Sequence, residues 1–249
     1  MPVTTLTATA PGAAPKSTAQ YVEESLAAID WNKRDAVLYL RGIGDETDWA
    51  TKMGPEMAKR LNRTDVSLSE VRYANVNTPG AGAESGEAVL TEVLRRIRAR
   101  APEMRIFLAG LSLGAWSIGD TLAANPGLRQ AVAGAALVAH TNMARAHYPT
   151  DSGLVREFNL PGDNFSKPLR GPREKVLAAV NDLYHGIKLG PLLKHLPTML
   201  RNFEVFSQFL MFFLKKPTAH DNNGPSQDAA FGWLNTLIGP PKAGARPKA

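Results

Sequence analysis

Short apolar runs alternate along this chain with longer stretches in which hydrophobic residues recur every third or fourth position. The runs Ala36 to Leu40, Val71 to Asn75, Met104 to Ala109, Val132 to Ala139 and Val155 to Leu160 read as five strands. Val132 to Ala139 is apolar at every second position and at those between, the signature of a strand covered on both faces of a parallel sheet. The intervening segments read as helices: one ending near Leu61, one over Gly86 to Arg98, one over Ser112 to Ala124 and one over Asp228 to Ile238. In the second of these Val89, Leu90, Val93, Leu94 and Ile97 make one apolar face, Ser85 stands where a cap is needed and Glu87 falls in the first turn. Asn125-Pro126-Gly127 closes the helix that starts at Ser112. Strands alternating with helices predict an α/β fold with a central parallel sheet flanked by helices.

The alternation breaks over residues 167 to 216. Helical segments are expected near Arg173 to Tyr184, Gly190 to Met199 and Asn202 to Leu214, with no strand among them. Phe203, Phe206, Phe209, Leu210, Phe212 and Phe213 are more than one buried helical stripe needs. This insertion reads equally as a lid or linker subdomain and as an added layer of core. The expected organisation is therefore a disordered tail over 1–18, a core made of 19–166 and 217–238, the helical insertion 167–216, and a basic tail over 239–249.

Composition narrows the chemistry. The formal charge is +6, but Lys16, Lys242, Arg246 and Lys248 lie in tails without acidic residues, and the body carries only +2. Basicity is thus a property of the tails and gives no support for a nucleic-acid partner. The absence of cysteine excludes disulfides, thiolate metal sites and a cysteine nucleophile. Met1 to Gln20 has neither a basic start nor a continuous apolar stretch, so no secretory signal is expected, and the longest apolar runs are too short to span a bilayer. A monomer is expected.

Gly110-Leu111-Ser112-Leu113-Gly114 sits between a strand and a helix, the context a serine nucleophile needs. A serine hydroxyl also needs an imidazole to take its proton and a carboxylate to orient that imidazole. His140 and His147 precede any plausible acid loop and His185 and His195 lie in the insertion, whereas His220 is on a loop before the last helix and is the expected base. Asp163, in Pro161-Gly162-Asp163-Asn164 after the fifth strand, is the expected acid; a turn-capping carboxylate is its competing reading. Asp120, Asp151 and Asp182 are worse placed. The oxyanion donors are expected to be the backbone amides of Leu113 and of Ile43, in the Arg41-Gly42-Ile43-Gly44 loop after the first strand. No metal or organic cofactor is expected in the catalysis.

Arg41 to Thr47 with Gly54-Pro55 and Ala58 to Leu61, the pentapeptide Gly110 to Gly114, Gly162-Asp163 and His220 with Gly224-Pro225 together resemble the oxyanion loop, serine elbow, acid loop and histidine loop of cutinases. A long helical segment between acid and histidine, with no cysteine and no signal peptide, is more similar to the lysin B esterases of bacteriophages that infect mycolate-bearing bacteria. Leu113 stands where the family usually has glutamine, and Ile43 lacks the hydroxyl some cutinases add to the oxyanion site. The resemblance implies a serine esterase with the triad Ser112, Asp163 and His220. It would cut mycolic acid from arabinogalactan, be synthesised in the host cytoplasm and reach the envelope at lysis. The lipid ester of a mycobacterial-type envelope would be its partner, with peripheral contact to lipid. The alternatives are a cutinase-like lipase acting on acylglycerols and a non-catalytic module that binds a lipid or a partner.

Overall fold

In the computed structural model five parallel strands form one sheet in the order β2-β1-β3-β4-β5, where β1 is Asp35–Leu40, β2 Val66–Glu70, β3 Arg105–Leu111, β4 Val132–Val138 and β5 Val155–Phe158. The structure describes residues 16–43, 47–74, 79–148, 153–184, 189–213 and 223–241. From β1 the chain steps outward to β2, then returns to the other side of β1 and continues through β3, β4 and β5. The strand order therefore reverses between β1 and β3, and in open α/β sheets the crevice beyond the carboxyl ends at such a reversal is where ligands bind.

Alternate residues of each strand feed two cores. Ala36, Leu38 and Leu40 of β1 and Ile106 and Leu108 of β3 face the larger one, with helices α1 (Thr18–Ala27), α3 (Pro79–Arg100) and α4 (Leu113–Ala124). Val37, Tyr39, Phe107 and Ala109 face the other, under α2 (Gly54–Leu61) and α9 (Gly224–Ile238). Both faces are covered, which is why the central strands β1, β3 and β4 read as near-continuous apolar runs. At the amino end of the sheet Arg105 makes a bidentate pair with Asp35 (2.6 and 2.7 Å) and donates to the carbonyl of Ile238, the last residue of α9. With its last residue held there, α9 runs antiparallel to the strands and begins toward their carboxyl ends.

Three elements of the first half of the fold depart most from the sequence expectation. β2 is Val66–Glu70, not Val71 to Asn75. Its buried Ser67 and Ser69 hid it, because both are satisfied from outside the strand: Ser67 Oγ accepts from the Asp30 N–H (2.9 Å) and Ser69 Oγ donates to the Ala28 carbonyl (2.8 Å). The helix expected from Gly86 begins at Pro79 instead, and Ser85 does not cap it; its Oγ accepts from the Ala74 N–H (3.1 Å). Gly86 belongs inside this helix because a Cβ there would lie 2.2 Å from Ser117 Oγ of α4, so close approach outweighs its poor helix propensity. The third, α1, was not expected at all; Ser17 and Gln20 close a reciprocal capping box at its start.

After a single 3₁₀ turn (Asn164–Ser166) come α6 (Arg173–Tyr184), α7 (Leu189–Arg201) and α8 (Phe203–Phe213); α5 is the short Pro126–Ala131. Val176, Ala179, Val180 and Leu183 of α6 and Phe206 and Phe209 of α8 join the larger core cluster, so the insertion is packed into the body on its inner side. Leu193, Leu196, Leu200, Phe203 and Leu210 are exposed on its outer side. Among the described residues no helix is long and apolar enough to cross a membrane.

Candidate active site

β3 ends at Leu111 and α4 begins at Leu113, leaving Ser112 alone at the turn with φ 52° and ψ −111°, a backbone conformation that L-residues rarely adopt. Its N–H donates to the Val138 carbonyl at the end of β4 (2.9 Å), and its carbonyl accepts from the Trp116 N–H (2.9 Å). The strand pulls on one side of the residue and the helix on the other, which holds the strained geometry in place. Gly110 and Gly114 are needed by sterics: a Cβ on Gly114 would lie 2.2 Å from the Leu40 carbonyl oxygen, and one on Gly110 would lie 2.7 Å from the Ala115 nitrogen. Ser112 is half-buried at the carboxyl end of β3.

The loop after β1 lies against this turn. A Cβ added to Gly42 would touch Ser112 Cβ at 3.5 Å, so the backbone that leads into Ile43 borders the serine. Arg41 fixes this loop from outside. Its guanidinium pairs with buried Glu70 at the end of β2 and donates to the Thr47 carbonyl (2.9 Å), while its own carbonyl accepts from the Tyr73 hydroxyl (2.5 Å). The Leu113 N–H stands at the first position of α4, where helix geometry leaves amides without partners inside the helix and creates a partial positive charge. Both expected oxyanion segments thus flank Ser112. Sequence reasoning missed Glu70, for which it read no strand end; its pairing with Arg41 joins residues 29 positions apart.

Asp163 lies two strands away, past the carboxyl end of β5, and is buried. Its Oδ1 accepts from the Phe165 N–H (3.0 Å), so it does cap the 3₁₀ turn, and also from Nε2 of Gln208 in α8 (2.9 Å). The Oε1 of Gln208 accepts from the Asn164 N–H (2.6 Å). A buried glutamine from the insertion therefore grips both the carboxylate and the backbone beside it. No local pattern around Gln208 marks this role. Ring contact between Phe165 and Phe209 (6.4 Å between centroids) packs the same loop onto the same helix.

His220 lies outside the described residues, as do Asp151 and His185. The helix it precedes begins at Gly224, four residues before the expected Asp228, with Pro225 in its first turn as helix starts favour. The other candidates have structural partners. Asp120 accepts from Trp116 Nε1 (2.8 Å) and from the Arg145 N–H (2.6 Å), and Asp182 pairs with His195 Nε2 (2.8 Å) within the insertion. His140 and His147 converge instead on Glu157.

No protein-family model matches this sequence, nor does any curated protein. Solved structures do. Lysin B from Mycobacteriophage D29 is similar with a TM-score of 0.52 at 14% identity, over 81% of this chain and 99% of that one. An acetylxylan esterase matches with a TM-score of 0.50 at 9% identity, over 83% of this chain and 99% of the other. A cutinase-like protein from Cryptococcus aligns with a TM-score of 0.35 at 19% identity over 43% of this chain, which spans 53% of that protein. The fold is that of the cutinase-like α/β hydrolases, with a central parallel sheet flanked by helices, as the sequence resemblance implied.

Proposed function

We propose that this chain is a serine esterase that hydrolyses the ester between mycolic acid and arabinogalactan in a mycobacterial-type envelope. Its fold is shared with enzymes whose names record ester hydrolysis, and one observation carries the reading further: Ser112 alone occupies a strained turn between a central strand and a helix, beside the Gly42 loop. Strain of this kind costs about 1–3 kcal/mol, and here the whole surrounding framework is spent on keeping it.

In the proposed mechanism His220 takes the Ser112 proton as Oγ attacks the ester carbonyl. The amides of Ile43 and Leu113 receive the oxyanion, and Asp163 holds the imidazolium. His220 then protonates the departing sugar oxygen, leaving the acyl group on Ser112. Water, deprotonated by His220, attacks that acyl-enzyme, and collapse of the second tetrahedral intermediate returns the proton to Ser112 and releases the fatty acid. An insertion with exposed leucines and Phe203 on its outer side suits a large apolar acyl substrate presented at an envelope. We place synthesis in the host cytoplasm and action at the envelope after release at lysis.

Ser112→Ala tests the chemistry. It is expected to lower turnover of a short p-nitrophenyl ester by at least about 10⁴-fold and to abolish labelling by a fluorophosphonate, with the melting temperature nearly unchanged. Turnover retained in the variant would overturn the assignment. Washed cell-wall core then tests the substrate: release of free mycolate is expected, and a preference for emulsified triacylglycerol would move the protein to the general lipases.

A further inference from the structure

Two histidines and a glutamate outside the proposed triad meet beyond β4 and on β5. Ala139, with φ 50°, turns the chain just past β4 and aims His140 inward, where its side chain is wholly buried against α4. The fit is tight: a Cβ on Gly119 would come within 2.9 Å of His140 Nε2. His140 Nδ1 lies 2.9 Å from Glu157 Oε1, and His147 Nδ1 lies 3.6 Å from the same oxygen. One ligand atom from each of the three residues falls within 4.8 Å of the others.

This arrangement is poor as a set of hydrogen bonds. Glu157 Oε1 already accepts from the Tyr148 N–H (2.5 Å), yet two imidazole nitrogens are directed at it as well. His140 Nδ1 faces that oxygen outside hydrogen-bond geometry and Nε2 has no hydrogen-bond partner, although the ring is removed from solvent. Buried polar nitrogens are nearly always satisfied, and one that is not calls for a partner of another kind. A cation at the centre of the three atoms uses lone pairs of both nitrogens and of the oxygen at once. At zinc-ligand distances of about 2.0–2.1 Å a tetrahedron has edges of about 3.3–3.4 Å, and the observed 2.9 and 3.6 Å bracket that value.

We propose that His140, His147 and Glu157 bind a divalent transition-metal ion of the zinc class, with water as the fourth ligand. Two imidazoles with a single carboxylate select zinc over calcium or magnesium, which prefer oxygen. Asn159 ties the two ligand segments together: its Oδ1 accepts from the backbone N–H of His140 (2.8 Å) and its Nδ2 donates to Glu157 Oε2 (3.2 Å). His147 is 43% exposed, which gives the ion a path in and a side open to water. The ion is structural and takes no part in ester hydrolysis. It clips the segment after β4 to β5, and the Asn142 N–H to Phe165 carbonyl bond (2.8 Å) carries that brace to the acid loop.

The test uses the untagged full chain, stripped with a chelator and titrated with zinc chloride by calorimetry. Binding of one ion per chain and a rise in melting temperature are expected. Cobalt in place of zinc is expected to give the visible bands of a tetrahedral site. His147→Ala, which removes an exposed side chain and leaves the core intact, should weaken zinc binding at least tenfold, and Glu157→Gln at least as much. Absence of stoichiometric binding, or zinc affinity unchanged in His147→Ala, would overturn the site. Neither readout depends on esterase activity, so the outcome is separate from that of the proposed reaction.

Discussion

The Ser112 turn and the Asp163 loop sit at the same end of the same sheet but are held in different ways. Ser112 is positioned by its immediate chain neighbours: strand before, helix after, and glycines two residues to either side whose Cβ atoms would strike backbone. Asp163 caps its own 3₁₀ turn, but its carboxylate is also gripped from 45 residues away by the amide of Gln208, and Phe209 of the same helix packs on the loop. Local placement is rigid and tolerates almost no substitution. Remote placement makes Asp163 depend on how well the insertion is docked, and it ties any movement of α8 to the geometry of the proposed triad.

The sharpest way to break this comparison is at Gly114. Its added Cβ would meet the Leu40 carbonyl oxygen at 2.2 Å and that of Arg41 at 2.7 Å, and neither backbone atom can yield without dislodging β1 or the loop beside the serine. Gly114→Ala is expected to destabilise by about 3 kcal/mol or more. Gly232, exposed within α9 with nothing within 4 Å of its added Cβ, is the control: Gly232→Ala should stabilise by up to about 1 kcal/mol. Urea unfolding of the two variants checks the opposite signs. Equal effects would mean that the elbow is not sterically set.

Gln208→Leu probes the remote side. The substitution keeps most of the volume but leaves the Asn164 N–H and one bond of the Asp163 carboxylate without their partner, at a cost of about 1–3 kcal/mol. On the proposed mechanism kcat should fall about 10–100-fold while KM stays within about twofold, because the amide orients the acid and touches no substrate. The rate of fluorophosphonate labelling should fall in parallel, since it reports the same activated hydroxyl. A variant that loses stability alone, with kcat intact, would show that Gln208 only fastens the loop.

The same contrast explains what was legible in the sequence. The elbow could be read because its requirements are local: two glycines at fixed offsets between an apolar run and a helical pattern. Four of the five strands were legible, the central β1, β3 and β4 as apolar runs covered on both faces, but β2 was not. Its inward serines imitate a surface, and their partners at Ala28 and Asp30 lie more than 35 residues away. The start of α3 was hidden because Gly86 looks like a helix breaker until α4 is packed against it. Asp163 was singled out from its turn, which it does cap, whereas Gln208 and Glu70, which fix Asp163 and the Arg41 loop, carry no signal that proximity in the chain could supply. The capping box at Ser17 and Gln20 was visible and went unused, so α1 was a failure of reading rather than of physics.

The smallest expected effect lies inside the insertion, where Asp182 pairs with His195 (2.8 Å) and Lys194 (3.2 Å) across α6 and α7. The His195 hydrogen bond, aided by Lys194, holds the Asp182 carboxyl below its ordinary value of 3.8. A carboxylate whose value is lowered by folding stabilises the folded form above 3.8 and loses that contribution as pH falls through and below it. Because Asp182 is well exposed, solvent screening keeps the contribution small and confines it to the helices it joins. Protection factors over residues 173–184 and 189–201, taken relative to the intrinsic exchange rate at each pH, are therefore expected to fall on acidification before those of β1, β3 and β4, and Asp182→Asn should flatten that early step. If the insertion and the sheet instead open together at every pH, the two regions form one cooperative unit, and the remote grip on Asp163 is as rigid as the local grip on Ser112.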